Sequence, residues 1–339
     1  MTLKVLTIGA GFFAGLHVEA WARNPDVTFA GLVDHNQDKA RRLADEHAPD
    51  AQIFQDATEA IATISPDIID IATPPNTHAD LISVADQAAP KAIICQKPFC
   101  GDLETARRTV EATQSRLVVH ENFRFQPWYR MIRDMLDQGQ IGDLYQIHFR
   151  LRPGDGQGDD AYLARQPYFQ EMERFLVHET AIHWIDTFRY LMGEPSAVFA
   201  DLRRLNPVIK GEDAGHILFK FDSGKRAVFD GNRLSDHAAD NPRLTMGECR
   251  IEGSKGTITL NGFGQIHHRH SGETAETEVT TSYTKEGFGG DCVYAFQKHV
   301  SDHLVTHSPL ENTAPEYLRN MEIEEQIYRS ASSGQLIEL

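Results

Sequence analysis

Lys97 sits in Gln96-Lys97-Pro98, directly after the apolar run Ala92-Ile93-Ile94-Cys95. A lysine at the end of a buried strand is partly desolvated. That lowers the proton affinity of its amine and lets it exchange protons with an alcohol. From position alone, a surface lysine that closes a strand is an equal reading. Glu179, His183 and Asp186 form a second proton-handling group. On an α-helix, residues four apart lie within about 40° of one another, and Asp186 stays near the same face. A carboxylate beside an imidazole suits a general base whose ring is oriented by an acid. A histidine in a structural salt bridge is the commoner case. His178-Glu179 opens like the zinc motif H-E-x-x-H, but position 182 is Ile and His183 falls one residue late. Zinc is therefore rejected on spacing. His267, His268 and His270 alternate faces of an expected strand and cannot converge on one ion, so they read as exposed surface. No metal is expected.

A third constellation suits an anion. Leu3 to Ile8 is an apolar run that ends in Gly9-Ala10-Gly11-Phe12-Phe13-Ala14. A buried strand that enters a glycine turn and then a helix presents backbone amides and the positive end of the helix dipole to a pyrophosphate. Gly9 permits the tight turn, Gly11 allows close approach, and Ala14 takes the place of the third glycine. The next apolar run, Phe29 to Val33, ends at Asp34, about 20 residues past the motif, where an acid binds the ribose hydroxyls. A carboxylate there repels a 2′-phosphate, and no arginine stands immediately beside it. This favours NAD over NADP. Two further polar clusters follow apolar runs, Thr73-Pro74-Pro75-Asn76-Thr77-His78 and Gln96-Lys97-Pro98. In an open parallel sheet, ligands bind beyond the carboxyl ends of the strands, which is where these clusters fall.

The elements that must carry these residues alternate in the first third of the chain. A polar helix is expected from Asp38 to Glu46, a strand from Asp67 to Ala72, and a helix from Thr77 to Ala88 capped by Asn76. Another helix runs from about Asp102 to Thr113, and a strand covers Leu117 to His120. This alternation implies a doubly wound parallel sheet. After Asn122 the rhythm changes. A helix from Pro127, a strand from Leu144 to Leu151, and a long helix from Val177 to Met192 precede successive strands between Ala197 and about Val279. Helices near Cys292–His303 and Pro315–Ser330 close the chain. The second part is expected to be α+β with a mostly antiparallel open sheet. The expected domains are 1–123 and 124–339.

At 339 residues the chain is long for one core. Asp and Glu number 49 against 33 Lys and Arg, a formal net charge of −16. Such a surface argues against nucleic acid and anionic membranes as partners. No apolar run approaches the length of a membrane span, and the strand that begins at Leu3 leaves no room for a targeting segment. Cys95, Cys100, Cys249 and Cys292 form no C-x-x-C pair. A reduced, cytoplasmic enzyme fits this composition.

Taken in order, Gly9 to Ala14, Thr73 to His78, Gln96-Lys97-Pro98 and Glu179-x-x-x-His183-x-x-Asp186 resemble the motifs of the glucose–fructose oxidoreductase / inositol dehydrogenase (Gfo/Idh/MocA) family. The resemblance covers essentially the whole chain. It implies an N-terminal Rossmann domain that binds NAD through Gly9, Gly11, Phe12, Phe13 and Asp34. Thr73, Pro75, Asn76, His78, Gln96 and Lys97 would add to that site. It further implies that Lys97 and His183 flank a substrate hydroxyl with Glu179 beside them, and that homodimers or homotetramers form through the second-domain sheet. Two departures alter the local charge and reach: Gln96 stands where the family usually has glutamate, and Glu179 where it usually has aspartate.

The chemistry so implied is hydride transfer from a carbinol. His183, or Lys97 acting with it, removes the proton, and the Lys97 ammonium stabilises the alkoxide. Asn122, Arg124 and Arg165 are candidates for binding a polyhydroxylated substrate, whereas Trp128 and Tyr129 read as core. The segment from Asn122 to Tyr129 resembles that of bacterial sugar dehydrogenases, including enzymes acting on the branched pentose apiose. This implies oxidation of an aldose at C1 to a lactone. An NAD-retaining glycoside hydrolase and a non-catalytic NAD-binding regulator are the alternatives. The regulator needs none of Lys97, Glu179 and His183.

Overall fold

A computed structural model of the chain describes residues 2–280 and 287–339. These form two units, residues 1–122 with 292–319, and residues 123–291 with 320–339. Each contains its own sheet.

In the first unit, six strands lie in the order β3-β2-β1-β4-β5-β6 and all pair in parallel. They are β1 (Leu3–Ile8), β2 (Val27–Val33), β3 (Gln52–Phe54), β4 (Ile68–Ile71), β5 (Ala92–Gln96) and β6 (Leu117–His120). Every residue of β4, β5 and β6 is buried. That fits segments that are mostly apolar, since a parallel sheet is covered on both faces, although Asp70, Gln96 and His120 are buried among them. The crossovers are α1 (Phe12–Arg23), α2 (Gln37–His47), α3 (Ala57–Ile64), α4 (His78–Asp86) and α5 (Leu103–Ala112). β3 and α3 were not legible in the sequence, being only three and eight residues long. Asp102 caps α5 by accepting from the Thr105 amide at 2.8 Å. The expected Asn76 cap of α4 is not found. Residues Pro75–Thr77 form a 3₁₀ turn, and Thr77 precedes α4 without any side-chain cap bond.

The C-terminal boundary also differs from the sequence expectation, which placed everything after 123 in the second unit. Residues 292–319 return to the first. Asn24 Nδ2 donates to Ser301 Oγ at 3.0 Å, Gln297 Nε2 donates to the His17 carbonyl at 3.2 Å, and the Val119 amide donates to the Asn312 carbonyl at 2.9 Å. Contacts separated by almost the whole chain carry no local sequence pattern.

The second unit opens with α6 (Pro127–Asp137) and β7 (Leu144–Leu151). The segment Leu176–Ala181 is a π-helical turn that runs into α7 (Ile182–Met192), so the expected single α-helix is two different helices. Seven further strands follow: β8 (Ala197–Arg203), β9 (Ala214–Lys220), β10 (Arg226–Asn232), β11 (Gly247–Gly253), β12 (Gly256–Leu260), β13 (Ile266–His270) and β14 (Thr277–Val279). The chain then forms α8 (Cys292–Thr306), α9 (Ala314–Ser333) and β15 (Ile337–Glu338). The sheet has nine strands in the order β14-β13-β12-β11-β7-β10-β9-β8-β15, with β7 and β10 its one parallel pair among the described residues. Ala227, Phe229 and Gly231 of β10 are buried while residues between them are half-buried, the alternation of a sheet covered on one face. α7 covers that face: Trp184 stacks on Phe149 with ring centroids 4.1 Å apart, and Phe188 meets Phe219 at 5.5 Å. All four cysteines are buried free thiols. Among the described residues, no helix is long and apolar enough to cross a membrane.

Candidate functional site

The sheet order of the first unit places its reversal between β1 and β4, the point where such sheets leave a crevice at their carboxyl ends. Gly9, Asp34, Thr73, Gln96 and Lys97 all leave strands at that end. Gly9 has φ +111°, and a Cβ there would lie 2.6 Å from the Ala72 carbonyl oxygen. Only glycine fits both the conformation and the close approach. Gly11 is different. Its backbone is extended, and a Cβ would meet nothing within 4 Å. It precedes α1, which has no side-chain cap. A glycine followed by an uncapped helix start, with open space where a side chain would project, is a cradle that fits the pyrophosphate of a dinucleotide. Phe12, 59% exposed, and Phe13 follow at the mouth of this turn.

Asp34 is held by the backbone of the turn. Its Oδ2 accepts from the Ala10 amide and its Oδ1 from the Asn36 amide, both at 2.8 Å. The carboxylate therefore braces the glycine turn, and each oxygen keeps a lone pair for a further donor. Thr73 and Thr77 join their hydroxyls at 2.7 Å, and Asn76 is exposed on the same loop beside half-buried Pro75. His78, expected to touch the cofactor, is instead fully buried. Its Nε2 bonds the Thr73 carbonyl at 2.8 Å, and the Pro98 backbone also faces the ring. His78 thus ties the loop after β4 to the loop after β5. Burial holds its imidazole below the ordinary histidine range.

Gln96 is buried, and its Oε1 accepts from the Lys97 amide at 2.6 Å. Lys97 itself is half-buried, and its bond to Pro98 is cis. Asn122 is 2% exposed with an Nδ2 that meets no partner among the described residues. An orphaned buried amide of this kind calls for a partner outside the protein.

In the second unit, His183 is 6% exposed and stacks flat on Phe123, with centroids 3.8 Å apart and planes 6° off parallel. The sequence assigned the orientation of this ring to an acidic stripe. Asp186 is engaged elsewhere. It takes a bidentate pair from Arg124 at 2.6 and 2.7 Å and a bond from Asn320 Nδ2 at 2.9 Å. Arg124 is therefore committed, through two of its nitrogens, to a partner within its own unit. Its fork holds α7 through Asp186. Glu179 lies in the π turn, where one extra residue per hydrogen-bonded turn breaks the four-residue spacing on which the stripe was based.

That turn is built from distant carboxylates. Glu212 accepts from the Phe175 and Val177 amides at 3.2 and 3.0 Å and from the Tyr328 hydroxyl at 2.7 Å. Glu324 pairs with His178 at 2.7 Å. Burial, and then the Glu179 carboxylate, push the Tyr168 phenol up.

Arg165 lies 3.5 Å from Asp155, whose principal partner is fully buried Arg233 at 2.7 Å. Arg233 also donates to Thr180 Oγ1 at 2.6 Å, next to Glu179 in the chain. Burial, and then the neighbouring Arg165, hold the Arg243 guanidinium below its usual range. Arg243 and Tyr168 were not identified from the sequence, since each reaches its neighbours through folding alone. Trp128 and Tyr129 are buried as expected. Of the β13 histidines only His270 is exposed, while His267 and His268 are half-buried.

Two family models match the chain. The oxidoreductase family model with an NAD-binding Rossmann fold covers residues 3–123, and the GFO/IDH/MocA C-terminal domain model covers residues 129–259. A D-apiose dehydrogenase of Rhizobium rhizogenes is 30% identical over 99% of this chain and 97% of its own length. An inositol 2-dehydrogenase of Rhizobium meliloti is 29% identical over 76% of this chain and 75% of its own. Among solved structures, an oxidoreductase from Agrobacterium radiobacter in complex with NAD+, L-tartaric acid and magnesium is 27% identical, with a TM-score of 0.87 and coverage of 100% and 98%.

Proposed function

Since the chain belongs to the Gfo/Idh/MocA family of NAD-binding oxidoreductases, we propose that it oxidises the anomeric carbon of an aldose, a branched pentose of the D-apiose type, to the lactone. The observation that carries this reading is the end-to-end match to a D-apiose dehydrogenase, 30% identical over 97% of that enzyme. The Gly9–Gly11 cradle and Asp34 support NAD as the partner, with Phe12, Phe13, Thr73, Pro75, Asn76 and Gln96 around it. When bound, NAD supplies the hydride acceptor at C4 of its nicotinamide.

Lys97 holds its ammonium toward the developing alkoxide, and His183, fixed by its stack on Phe123, takes the hydroxyl proton. Glu179 supplies a carboxylate to the same proton inventory. Asn122, through its orphaned amide, and Arg165 bind sugar hydroxyls. We assign pairing of identical copies to the open sheet face, where exposed Phe199 and half-buried Leu218 and Val228 form an apolar row across β8, β9 and β10.

Product analysis tests the reading. D-Apiose with excess NAD is expected to give one NADH per lactone. A cleaved glycoside with no net NADH would indicate hydrolysis, and binding without turnover a regulator.

A further inference from the structure

A chain of buried polar groups in the first unit ends on the Lys97 backbone, and the proposed chemistry gives no role to two of its members, Asp70 and His17. Asp70, His17 and Gln96 come from β4, α1 and β5, and are 0%, 0% and 7% exposed. Asp70 Oδ2 lies 2.8 Å from His17 Nδ1 and 2.7 Å from Trp21 Nε1. His17 Nε2 lies 3.3 Å from Gln96 Nε2, and Gln96 Oε1 lies 2.6 Å from the Lys97 amide nitrogen.

Only one arrangement of hydrogens satisfies this chain. A backbone amide can only donate, so the Gln96 atom facing Lys97 is the carbonyl oxygen. The opposite end of Gln96 is then the NH₂ group, which also only donates. His17 Nε2 must therefore offer a lone pair, and the proton of the neutral ring sits on Nδ1, aimed at the carboxylate. Trp21 Nε1 is a donor without alternative and meets the same oxygen. Every bond donates in the direction from Lys97 to Asp70.

The ring that transmits this order is held on its faces and edge. His17 stacks on His120 at 4.0 Å, and Phe13 meets it edge-on at 5.6 Å. Asp70 and His120 are the titratable groups in contact with it, and the buried Cys95 thiol, which burial and then Cys100 and Asp70 push up, faces Asp70. A carboxylate in the middle of a parallel sheet is costly to bury, and here Oδ2 takes both donors while Oδ1 meets none among the described residues. A fold that needed only a covered sheet would have an apolar residue at position 70.

We propose that Asp70, His17 and Gln96 are positioning residues for Lys97. The amide at 96 locks His17 as the Nδ1–H tautomer and thereby fixes the peptide that carries the lysine. The proposal rests on the catalytic role given to Lys97 above.

Histidine-selective ¹⁵N labelling of the whole protein reads the tautomer directly, with His17→Gln identifying the signal. The expected wild-type pattern is a protonated Nδ1 and an unprotonated Nε2. In Gln96→Glu the new carboxylate has no proton to donate while the Lys97 amide still needs an acceptor, so both ring nitrogens are expected to be protonated. A wild-type Nε2–H ring, or a ring indifferent to Gln96→Glu, overturns the proposal.

Kinetics supply the second arm. His17→Phe keeps the aromatic volume and breaks the chain, and is expected to lower kcat by about 10- to 100-fold with the KM for NAD within about twofold. His17→Gln, whose amide can donate to Asp70 and accept from Gln96, is expected to recover most of that loss. An unchanged kcat in His17→Phe, or a loss confined to the KM for NAD, contradicts the proposal. If that variant fails to fold, the pair His17→Phe with Asp70→Asn removes the stranded charge and is expected to show the same kcat loss. Turnover that survives Lys97→Met would refute the role of the lysine while leaving the tautomer result standing, so the two failures are distinguishable.

Discussion

The first unit presents its candidate groups from the ends of parallel strands, whereas the second presents them from a single helical segment. In the first, the geometry is mostly backbone: the φ of Gly9, the open side of Gly11, and amides braced by Asp34. In the second, it is long-range side chains: Arg124 on Asp186, Glu212 on the π turn, and Glu324 on His178. Damage in the first unit should therefore appear in cofactor binding and chemistry. Damage in the second should appear first as lost stability.

The largest expected effect belongs to Lys97. Lys97→Met should lower kcat by about 10²- to 10⁴-fold, the range for a positioned proton-transfer group, while NAD titration stays near the wild-type result. Preserved turnover would remove lysine from the mechanism. Next is the buried pair in the second unit. Arg124→Met leaves buried Asp186, 1% exposed, without its cation and with only its Asn320 bond, and should cost about 3–5 kcal/mol in chemical denaturation. Adding Asp186→Leu should restore much of that. If instead the substrate KM rises with stability intact, Arg124 is a substrate ligand and the comparison fails there.

Gly9→Ala should cost about 1–3 kcal/mol from backbone strain alone, before its clash with the Ala72 carbonyl is counted. Its thermal melt should also lose most of the NAD-induced shift. Asp34→Ala removes a charged acceptor and should weaken NAD by about 10- to 100-fold by calorimetry, with the apo fold retained. An unchanged affinity would leave Asp34 as a brace of the turn alone.

The smallest effect is one of pH. Burial sets His78 below its ordinary value of 6.5, so on acidification the unfolded chain takes up the proton first. The stability it contributes is complete above about pH 6.5 and is lost as the pH falls further. The wild type should lose more stability than His78→Gln between about pH 7.5 and 5.5, and equal slopes would contradict this assignment.

How much of this was legible follows the same division. Gly9, Gly11 and Asp34 are a local pattern, and the sequence placed them on their elements correctly. The alternation of apolar strands with helices in the first third implied the parallel sheet, but gave no sign that Asp70 is buried within it. The partners that build the rest are far apart in the chain: His17 and Asp70 by 53 positions, Arg124 and Asp186 by 62, and Phe175 and Glu212 by 37. No periodicity marks such pairs. The π turn was misread because the residues of Leu176–Ala181 carry no mark of an extra residue per turn, and a helix-period argument assumes there is none. His78 stands in a strand-end cluster where ligands bind, and only folding shows that its ring is buried against the Thr73 carbonyl.

The most direct test of the central claim is the NADH absorbance band, followed with purified protein and NAD across aldoses, polyols and inositols. The band is expected to grow with a branched or simple pentose, and to stay flat for the same sugar in Lys97→Met. Silence across the whole panel from protein that binds NAD tightly would contradict the assignment as a sugar dehydrogenase.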